Sequence, residues 1–260
     1  MFSDKENVNI LTSLLIAHSV RHAVVCPGSR NAPIVHNLDT CDSIHCYPVT
    51  DERSAGFYAL GLCQAVNAPV VVCVTSGTAL LNLCPSVAEA FYQHLPLVVI
   101  SADRPAQWID QLDGQTLPQV GALGRFVSKT VNLPEPHDKE SRWYCNRLIN
   151  EAMIACVKGS CGPVHINVPI TEPLYQFNTN TLPIERKITF LSGLSDFNAA
   201  SVQCFQPIVT ALKHAQKPLI IIGQMKPSVV ISTHVERLIS QQHVVLYEPL
   251  GVDKGDNCLE

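Results

Sequence analysis

Two chain segments carry side chains suited to binding an anion or a cofactor. Cys26-Pro-Gly-Ser-Arg-Asn-Ala-Pro33 places Ser29 and Arg30 at the predicted start of a helix. Backbone amides, a hydroxyl and a guanidinium there can together hold a carboxylate or a phosphate. A plain Pro-Gly turn with an exposed arginine has the same sequence, so both interpretations stay open for this segment alone. Ser101-Ala-Asp-Arg-Pro105 places Arg104 directly after an apolar run, which suits an anion ligand, although an Asp-Arg pair is more often a surface salt bridge.

Two further segments offer a carboxylate and free backbone amides. Glu52, in Thr50-Asp-Glu-Arg-Ser-Ala-Gly56, falls in the first turn of a predicted helix. The helix dipole favours a carboxylate there, and most such glutamates are simply solvated. Val74-Thr-Ser-Gly-Thr-Ala-Leu-Leu-Asn82 is typical of a strand-to-helix elbow with free amides, or of an ordinary capped helix.

The elements between these segments predict an α/β fold with a parallel sheet flanked by helices. Short continuous apolar runs alternate with helical spacing, which is the pattern of strands covered on both faces. All four segments then follow the carboxyl ends of strands, where open α/β sheets bind their ligands. The predicted strands are 22–26, 44–49, 69–75, 96–101 and 164–168, with an apolar run at 126–131, and the predicted helices are 7–20, 51–66, about 78–93 and 139–158.

A long polar loop and a second domain complete the predicted organisation. The loop over 103–121 contains Gln111-Leu-Asp-Gly-Gln-Thr116 and is longer than most connections, so we expect it to be functional and the most mobile segment. We predict a first domain over 1–175, a linker over 176–195 and the start of a second α/β domain over 196–260. The second domain would contain a helix to 214, a strand over 218–222, a helix to 240 and a strand over 243–247. Two strands are too few for an independent open sheet, so we expect this domain to be truncated.

Composition excludes several classes of protein. The chain has 260 residues, 47% of them hydrophobic and only 15% charged, with a net charge of -4, which argues against disorder and against a general nucleic-acid surface. Its apolar runs are too short to cross a bilayer, and the polar N-terminus does not resemble a signal peptide, so we expect a cytosolic protein. The eleven cysteines are dispersed and lack a Cys-x-x-Cys pair, which indicates buried hydrophobes rather than disulfides or zinc.

Common nucleotide and hydrolase motifs are missing from the sequence. It contains no Gly-x-Gly-x-x-Gly after the first strand, no P-loop, no Gly-x-Ser-x-Gly and no His-Glu-x-x-His. The sequence therefore lacks the main motif that would identify it as a dinucleotide oxidoreductase, a P-loop enzyme, an esterase or a zinc peptidase.

The joint order of the four segments resembles the aminopyrimidine-binding (PYR) half of thiamine-diphosphate enzymes. More narrowly, the segments together with His165-Ile-Asn-Val-Pro-Ile-Thr-Glu-Pro-Leu-Tyr175 resemble the SEPHCHC synthase family of menaquinone biosynthesis. These transferases make 2-succinyl-5-enolpyruvyl-6-hydroxy-3-cyclohexene-1-carboxylate. The resemblance covers essentially the whole chain, but only the first half of the family's length.

The resemblance implies a cofactor, two substrates and their contacts. In the family, the glutamate matching Glu52 hydrogen-bonds the pyrimidine ring of thiamine diphosphate and promotes its activation. The substrates would be 2-oxoglutarate, which loses carbon dioxide, and isochorismate, which accepts the remaining four-carbon unit. The positions implied to contact substrate are Ser29, Arg30, Arg104 and Gln115. The positions implied to contact the cofactor are Glu52, Thr75, Ser76, Gly77, Thr78 and Asn82.

The sequence departs from the family where the metal would bind. The family holds the diphosphate and its Mg²⁺ or Mn²⁺ with Gly-Asp-Gly and a downstream Asn in a C-terminal domain, whereas this chain has only Gly255-Asp256-Asn257 near its end. We therefore expect no metal ligands in these residues and no synthase activity from this chain alone. We expect the full-length enzyme to be a homodimer or homotetramer.

Two alternatives remain open. One is a different thiamine-diphosphate enzyme, such as a 2-oxoacid decarboxylase or an acetohydroxyacid synthase. The other is a non-catalytic α/β binding module.

Overall fold

Continuous apolar runs form a six-stranded parallel sheet, which confirms the predicted fold class. The computed structural model describes residues 1–159, 161–189, 199–222, 229–241 and 243–247. Strand order in the sheet is β2-β1-β3-β4-β6-β5. Because helices cover both faces, β3 is buried at every position and needs no alternation of polar residues. The strands are β1 (His22–Val25), β2 (His45–Pro48), β3 (Val70–Val74), β4 (Leu97–Asp103), β5 (Lys129–Asn132) and β6 (Val164–Pro169).

Six helices form the two outer layers. One hydrophobic core lies between the sheet and α1 (Glu6–Ala17), α2 (Ala32–Thr40) and α6 (Lys139–Val157). A second core lies on the other face, beneath α3 (Glu52–Val66), α4 (Thr78–Asn82) and α5 (Cys84–Tyr92). The nine cysteines of this part of the chain are free; six are buried in these cores, and Cys46, Cys84 and Cys161 are half-buried. Over the part of the chain that the structure describes, no helix is long and apolar enough to cross a membrane.

The single helix predicted over 78–93 is wrong, because the structure has two helices that meet at Leu83. Pro85 lies in the first turn of α5. A proline at that position has no N–H for a helical hydrogen bond, and its ring disfavours continuation of the preceding helix. The apolar run at 126–131 is only partly a strand, since a 3-10 turn occupies Gly124–Phe126 and β5 begins at Lys129.

The segment after β6 packs against the N-terminus, α1 and α6. It is extended without a helix, and Phe2 and Thr179 form an isolated antiparallel bridge. Ser13 Oγ on α1 donates to the Pro183 carbonyl at 2.7 Å. The side chain of Glu185 is 7% exposed and accepts hydrogen bonds from Arg142 and Asn146 on α6. The described part of the predicted linker therefore belongs to the same compact unit as the sheet, which spans Met1–Phe190.

A second compact unit covers Leu191–Glu260. Among its described residues, the helices are α7 (Ala199–His214) and α8 (Val229–Ser240), and the strands are β7 (Leu219–Ile222) and β8 (Val244–Tyr247). The two strands pair in parallel, and the order of elements is the predicted one. The Gly255-Asp256-Asn257 segment lies outside the described residues.

Candidate cofactor and substrate site

The loops after β1 and β3 meet at the carboxyl edge of the sheet. β1 connects to β2 on one side, whereas β3 continues to β4 on the other, so this edge is a switch point of the topology. A Cβ atom added at Gly28 would lie 2.4 Å from the Thr75 Cβ, so only glycine allows the two loops to approach this closely. Ser29, the next residue, is exposed.

Glu52 stands at the N-terminus of α3, beside Asn82 of α4. Asp51 caps the helix by accepting a hydrogen bond from the Ser54 amide at 2.7 Å. This cap fixes the start of α3 and with it the position of the Glu52 side chain. Glu52 is half-buried, and its Oε2 accepts a hydrogen bond from Asn82 Nδ2 at 3.3 Å. Burial, followed by the charges of Glu52 and Asp51, raises the pKa of Cys26 to about 12. The structure thus brings the Glu52 carboxylate and the Asn82 side-chain amide together near Cys26, at the end of β1.

The Thr75–Thr78 elbow is mostly engaged within the protein. Gly77 has a φ of 84°, and its amide donates to Gln119 Oε1 at 2.7 Å. Ser76 is buried, and its carbonyl accepts from Gln115 Nε2 at 3.0 Å. Thr78 is exposed, so it and Asn82 are the cofactor candidates on this elbow that reach the surface.

Arg30 and Arg104 line one cavity of about 360 Å³. Arg30 donates to the Ile170 carbonyl at 3.0 Å and pairs with Glu172. Arg104 donates to Ser76 Oγ at 2.9 Å. It also donates to the Gln115 carbonyl at 3.2 Å. Two guanidinium groups from loops after different strands therefore point into one space.

Two of the four predicted substrate residues are not part of this cavity lining. Over the described chain, the lining comprises the two arginines with Pro105, Trp108, Asp113, Thr171 and Glu172, and lacks Ser29 and Gln115. The Gln115 side chain is occupied by its hydrogen bond to Ser76, which explains its separation from the cavity. A larger groove of about 770 Å³ beside α6 contains no predicted site residue.

A buried polar network behind the arginines was missed in the sequence analysis. Gln119 is 1% exposed, and its Nε2 donates to Asn167 Oδ1 at 2.7 Å and to the Ala102 carbonyl at 3.1 Å. Asn167 Nδ2 donates to Asp103 Oδ2 at 2.8 Å. Gln119 therefore ties the end of the long loop to β4, β6 and the Gly77 amide. Polar residues inside otherwise apolar strands were the available signal.

Two titratable groups in this network have shifted pKa values. Burial raises the pKa of Asp103, against hydrogen bonds from Asn167 and the Arg104 amide. Burial lowers the pKa of His165 to about 4. His165 Nε2 lies 2.7 Å from Ser101 Oγ, so a neutral imidazole is a hydrogen-bond partner inside the sheet.

Comparisons with known proteins identify relatives over nearly the whole chain. Residues 6–122 match the thiamine pyrophosphate enzyme N-terminal TPP binding domain. A 2-succinyl-5-enolpyruvyl-6-hydroxy-3-cyclohexene-1-carboxylate synthase of Bacteroides thetaiotaomicron is 50% identical over 251 residues, which are 96% of this chain and 44% of that protein. The synthase of the same name from Phocaeicola vulgatus is 54% identical over 225 residues, which are 86% of this chain and 40% of that protein.

A solved structure supports the fold. The thiamine diphosphate-dependent 4-hydroxybenzoylformate decarboxylase of Rhodococcus jostii RHA1 matches with a TM-score of 0.58 at 17% identity, covering 84% of this chain and 39% of that chain. The chain spans about 44% of the length of the Bacteroides thetaiotaomicron relative. Over nearly its whole length the chain is therefore similar in sequence to the N-terminal part of SEPHCHC synthases, and its residues 6–122 match the thiamine pyrophosphate enzyme N-terminal domain.

Proposed function

We propose that this chain is the aminopyrimidine-binding part of a thiamine-diphosphate-dependent transferase of menaquinone biosynthesis. The complete enzyme decarboxylates 2-oxoglutarate and adds the remaining succinyl-semialdehyde unit to isochorismate, giving SEPHCHC. The observation that carries the proposal is the placement of Arg30 and Arg104 in one cavity. Isochorismate carries two carboxylates, and the planar guanidinium fork binds a carboxylate with two hydrogen bonds.

The residues around Glu52 fit the polar edge of an aminopyrimidine. Asn82 donates to Glu52 Oε2, which restricts the orientation of the carboxylate. Glu52 can then share a proton with a ring nitrogen and stabilise the tautomer that the reaction needs. Thr78 and Asn82 offer further polar contacts at the surface of the same elbow. Thiamine diphosphate, when bound, supplies the carbon chemistry of decarboxylation and transfer.

The remaining parts of the proposal concern residues beyond this site. We assign the ligands of the diphosphate and of Mg²⁺ or Mn²⁺ to the C-terminal portion of the relatives, since this chain spans 44% of the first relative's length. We also propose a cytosolic homodimer or homotetramer. In this proposal Ser29 and Gln115 contact substrate only after a change in the loops that carry them, because neither residue lines the cavity and Gln115 is hydrogen-bonded to Ser76.

The test is a substrate comparison with the full-length protein, supplied with thiamine diphosphate and Mg²⁺. We expect carbon dioxide and SEPHCHC from 2-oxoglutarate with isochorismate, and no turnover of pyruvate. Turnover of pyruvate instead would favour a decarboxylase or an acetohydroxyacid synthase. Turnover of neither substrate would favour a non-catalytic binding module.

A further inference from the structure

The cavity between the two arginines also contains two carboxylates that the proposed function leaves unused. Asp113 Oδ2 lies 2.5 Å from Arg104 Nε. Glu172 Oε1 lies 3.0 Å from an Arg30 terminal nitrogen. The four formal charges sum to zero, so each cation of the cavity already has a carboxylate partner.

The two partners in each ion pair differ in exposure. The arginine side chains are only 10% and 15% exposed, whereas Glu172 is 71% and Asp113 is 40% exposed. Arg30 is also held by the Ile170 carbonyl, and Arg104 by Ser76 Oγ. The cations are therefore fixed in the protein, and the acids approach them from the solvent side.

This arrangement determines which partner can leave. An exposed carboxylate regains its hydration when it leaves an ion pair, so the pair itself contributes little. A mostly buried guanidinium without an anion is costly. The acids can therefore be exchanged for another anion more easily than the arginines can remain unpaired.

We propose that Asp113 and Glu172 are internal counter-ions that occupy the places of a ligand's two carboxylates. Binding of a dicarboxylate displaces both acids into solvent, and each arginine exchanges one carboxylate partner for another. The two acids thereby set the affinity of the site, because the ligand must compete with them. This inference rests on the proposed function only for the identity of the dicarboxylate.

The test measures dicarboxylate binding to the 260-residue chain by calorimetry, with isochorismate and succinate as probes. Asp113→Asn and Glu172→Gln each remove one competitor, and we expect about fivefold tighter binding from each. Asp110→Asn is the matched control. Asp110 lies in the same loop and is exposed, and the described residues give it no ion pair. It should change affinity less than twofold.

A spectroscopic readout locates the binding. Trp108 lines the cavity and Trp143 does not, and the chain contains only these two tryptophans. In a Trp143→Phe background, succinate should change the Trp108 fluorescence, and Asp113→Asn should shift that titration to lower concentration. Arg104→Gln should abolish it.

The outcomes separate the inference from the proposed function. If Asp110→Asn tightens binding equally, the effect is one of general charge and the inference is overturned. Unchanged affinity in both Asp113→Asn and Glu172→Gln would also overturn it, and so would the absence of dicarboxylate binding in every protein tested. Tighter binding in the variants without isochorismate turnover by the full-length protein would preserve the inference and reject the proposed function. Isochorismate turnover by the full-length protein without tighter binding in the variants would preserve the proposed function and reject the inference.

Discussion

The side chains of Arg104 and Glu52 are each held in place by a hydrogen bond from or to a neighbouring residue. Arg104 is buried except for 15% of its side chain and donates to Ser76 Oγ. Glu52 is half-buried and accepts from Asn82. Held side chains lose little conformational entropy when a ligand binds, which is why fixed groups make better recognition sites than mobile surface charges.

Replacing Glu52 by glutamine tests the role of its carboxylate. Glutamine has nearly the same shape but cannot share a proton as a carboxylate does. In the full-length enzyme we expect Glu52→Gln to lower kcat by at least about 100-fold, the range of lost general acid–base catalysis.

Glu140→Gln is the matched control for this variant. Glu140 is exposed in the first turn of α6, so like Glu52 it is an acidic residue in the first turn of a helix, but it is not among the candidate site residues. We expect its activity to stay within about twofold of the unmodified enzyme. Full activity of Glu52→Gln would support the non-catalytic binding module.

The buried His165 makes stability depend on pH. Its folded-state pKa of about 4 lies below its ordinary value of 6.5. The unfolded chain therefore binds a proton between these values while the folded chain does not, so stability falls as pH decreases through this range. At pH 5 the loss relative to pH 7 is about 2 kcal/mol. Asp103 acts in the opposite sense, since its pKa is raised in the folded protein.

Comparison with His165→Leu isolates this contribution. Ser101 Oγ keeps its hydrogen bonds with Asn167 and Gln119 in the variant, so no polar group is left unpaired. Urea unfolding followed by tryptophan fluorescence reports on the first unit, which contains both tryptophans. We expect the free energy of unfolding to fall by about 2 kcal/mol more in the unmodified chain than in the variant. Equal pH dependence would contradict a neutral buried His165.

At the scale of elements, the site depends on how closely two strand-to-helix loops approach. The apolar runs and the Pro-Gly and Ser-Gly breaks were sufficient to predict β1, β3 and the elbows after them. The contact between Gly28 and Thr75 was not predictable, because it joins residues 47 positions apart through the order of the strands. The sequence shows the polar residues of the Gln119 network inside apolar strands, but which of them Gln119 contacts depends on the same strand order.

Gly28→Ala tests this approach against a matched glycine. The new methyl carbon would lie 2.4 Å from the Thr75 Cβ and 2.6 Å from Asn31 Oδ1. We expect a loss of about 2 kcal/mol in the free energy of unfolding, as for other overpacked sites. At Gly61 in α3 an added Cβ meets nothing within 4 Å, so Gly61→Ala should stabilise by about 0.5–1 kcal/mol. Urea unfolding of both variants measures the two values, and equal effects would contradict a steric role for Gly28.

At the scale of the whole molecule, the sequence predicted the class of the fold better than the edge of its first unit. Alternating helical and apolar patterns identify a parallel sheet because each pattern is local. The segment over 171–189 has no periodicity, so its sequence resembles a free linker. Its hydrogen bonds to Ser13 and Asn150 form only once α1 and α6 are in place, and no local pattern reports them.

Truncation distinguishes the predicted domain boundary at 175 from the compact unit that ends at Phe190. A chain of residues 1–175 lacks the Phe2–Thr179 bridge, the Ser13–Pro183 hydrogen bond and the contacts of Glu185 with Arg142 and Asn146. The five hydrogen bonds contribute about 1 kcal/mol each, and ordering the segment offsets part of this, so we expect residues 1–189 to be about 3 kcal/mol more stable than residues 1–175 in urea unfolding. Glu185→Gln in the longer chain should remove part of that difference, because glutamine pairs less strongly with Arg142. Equal stability of the two truncated chains would show that the segment is a linker after all.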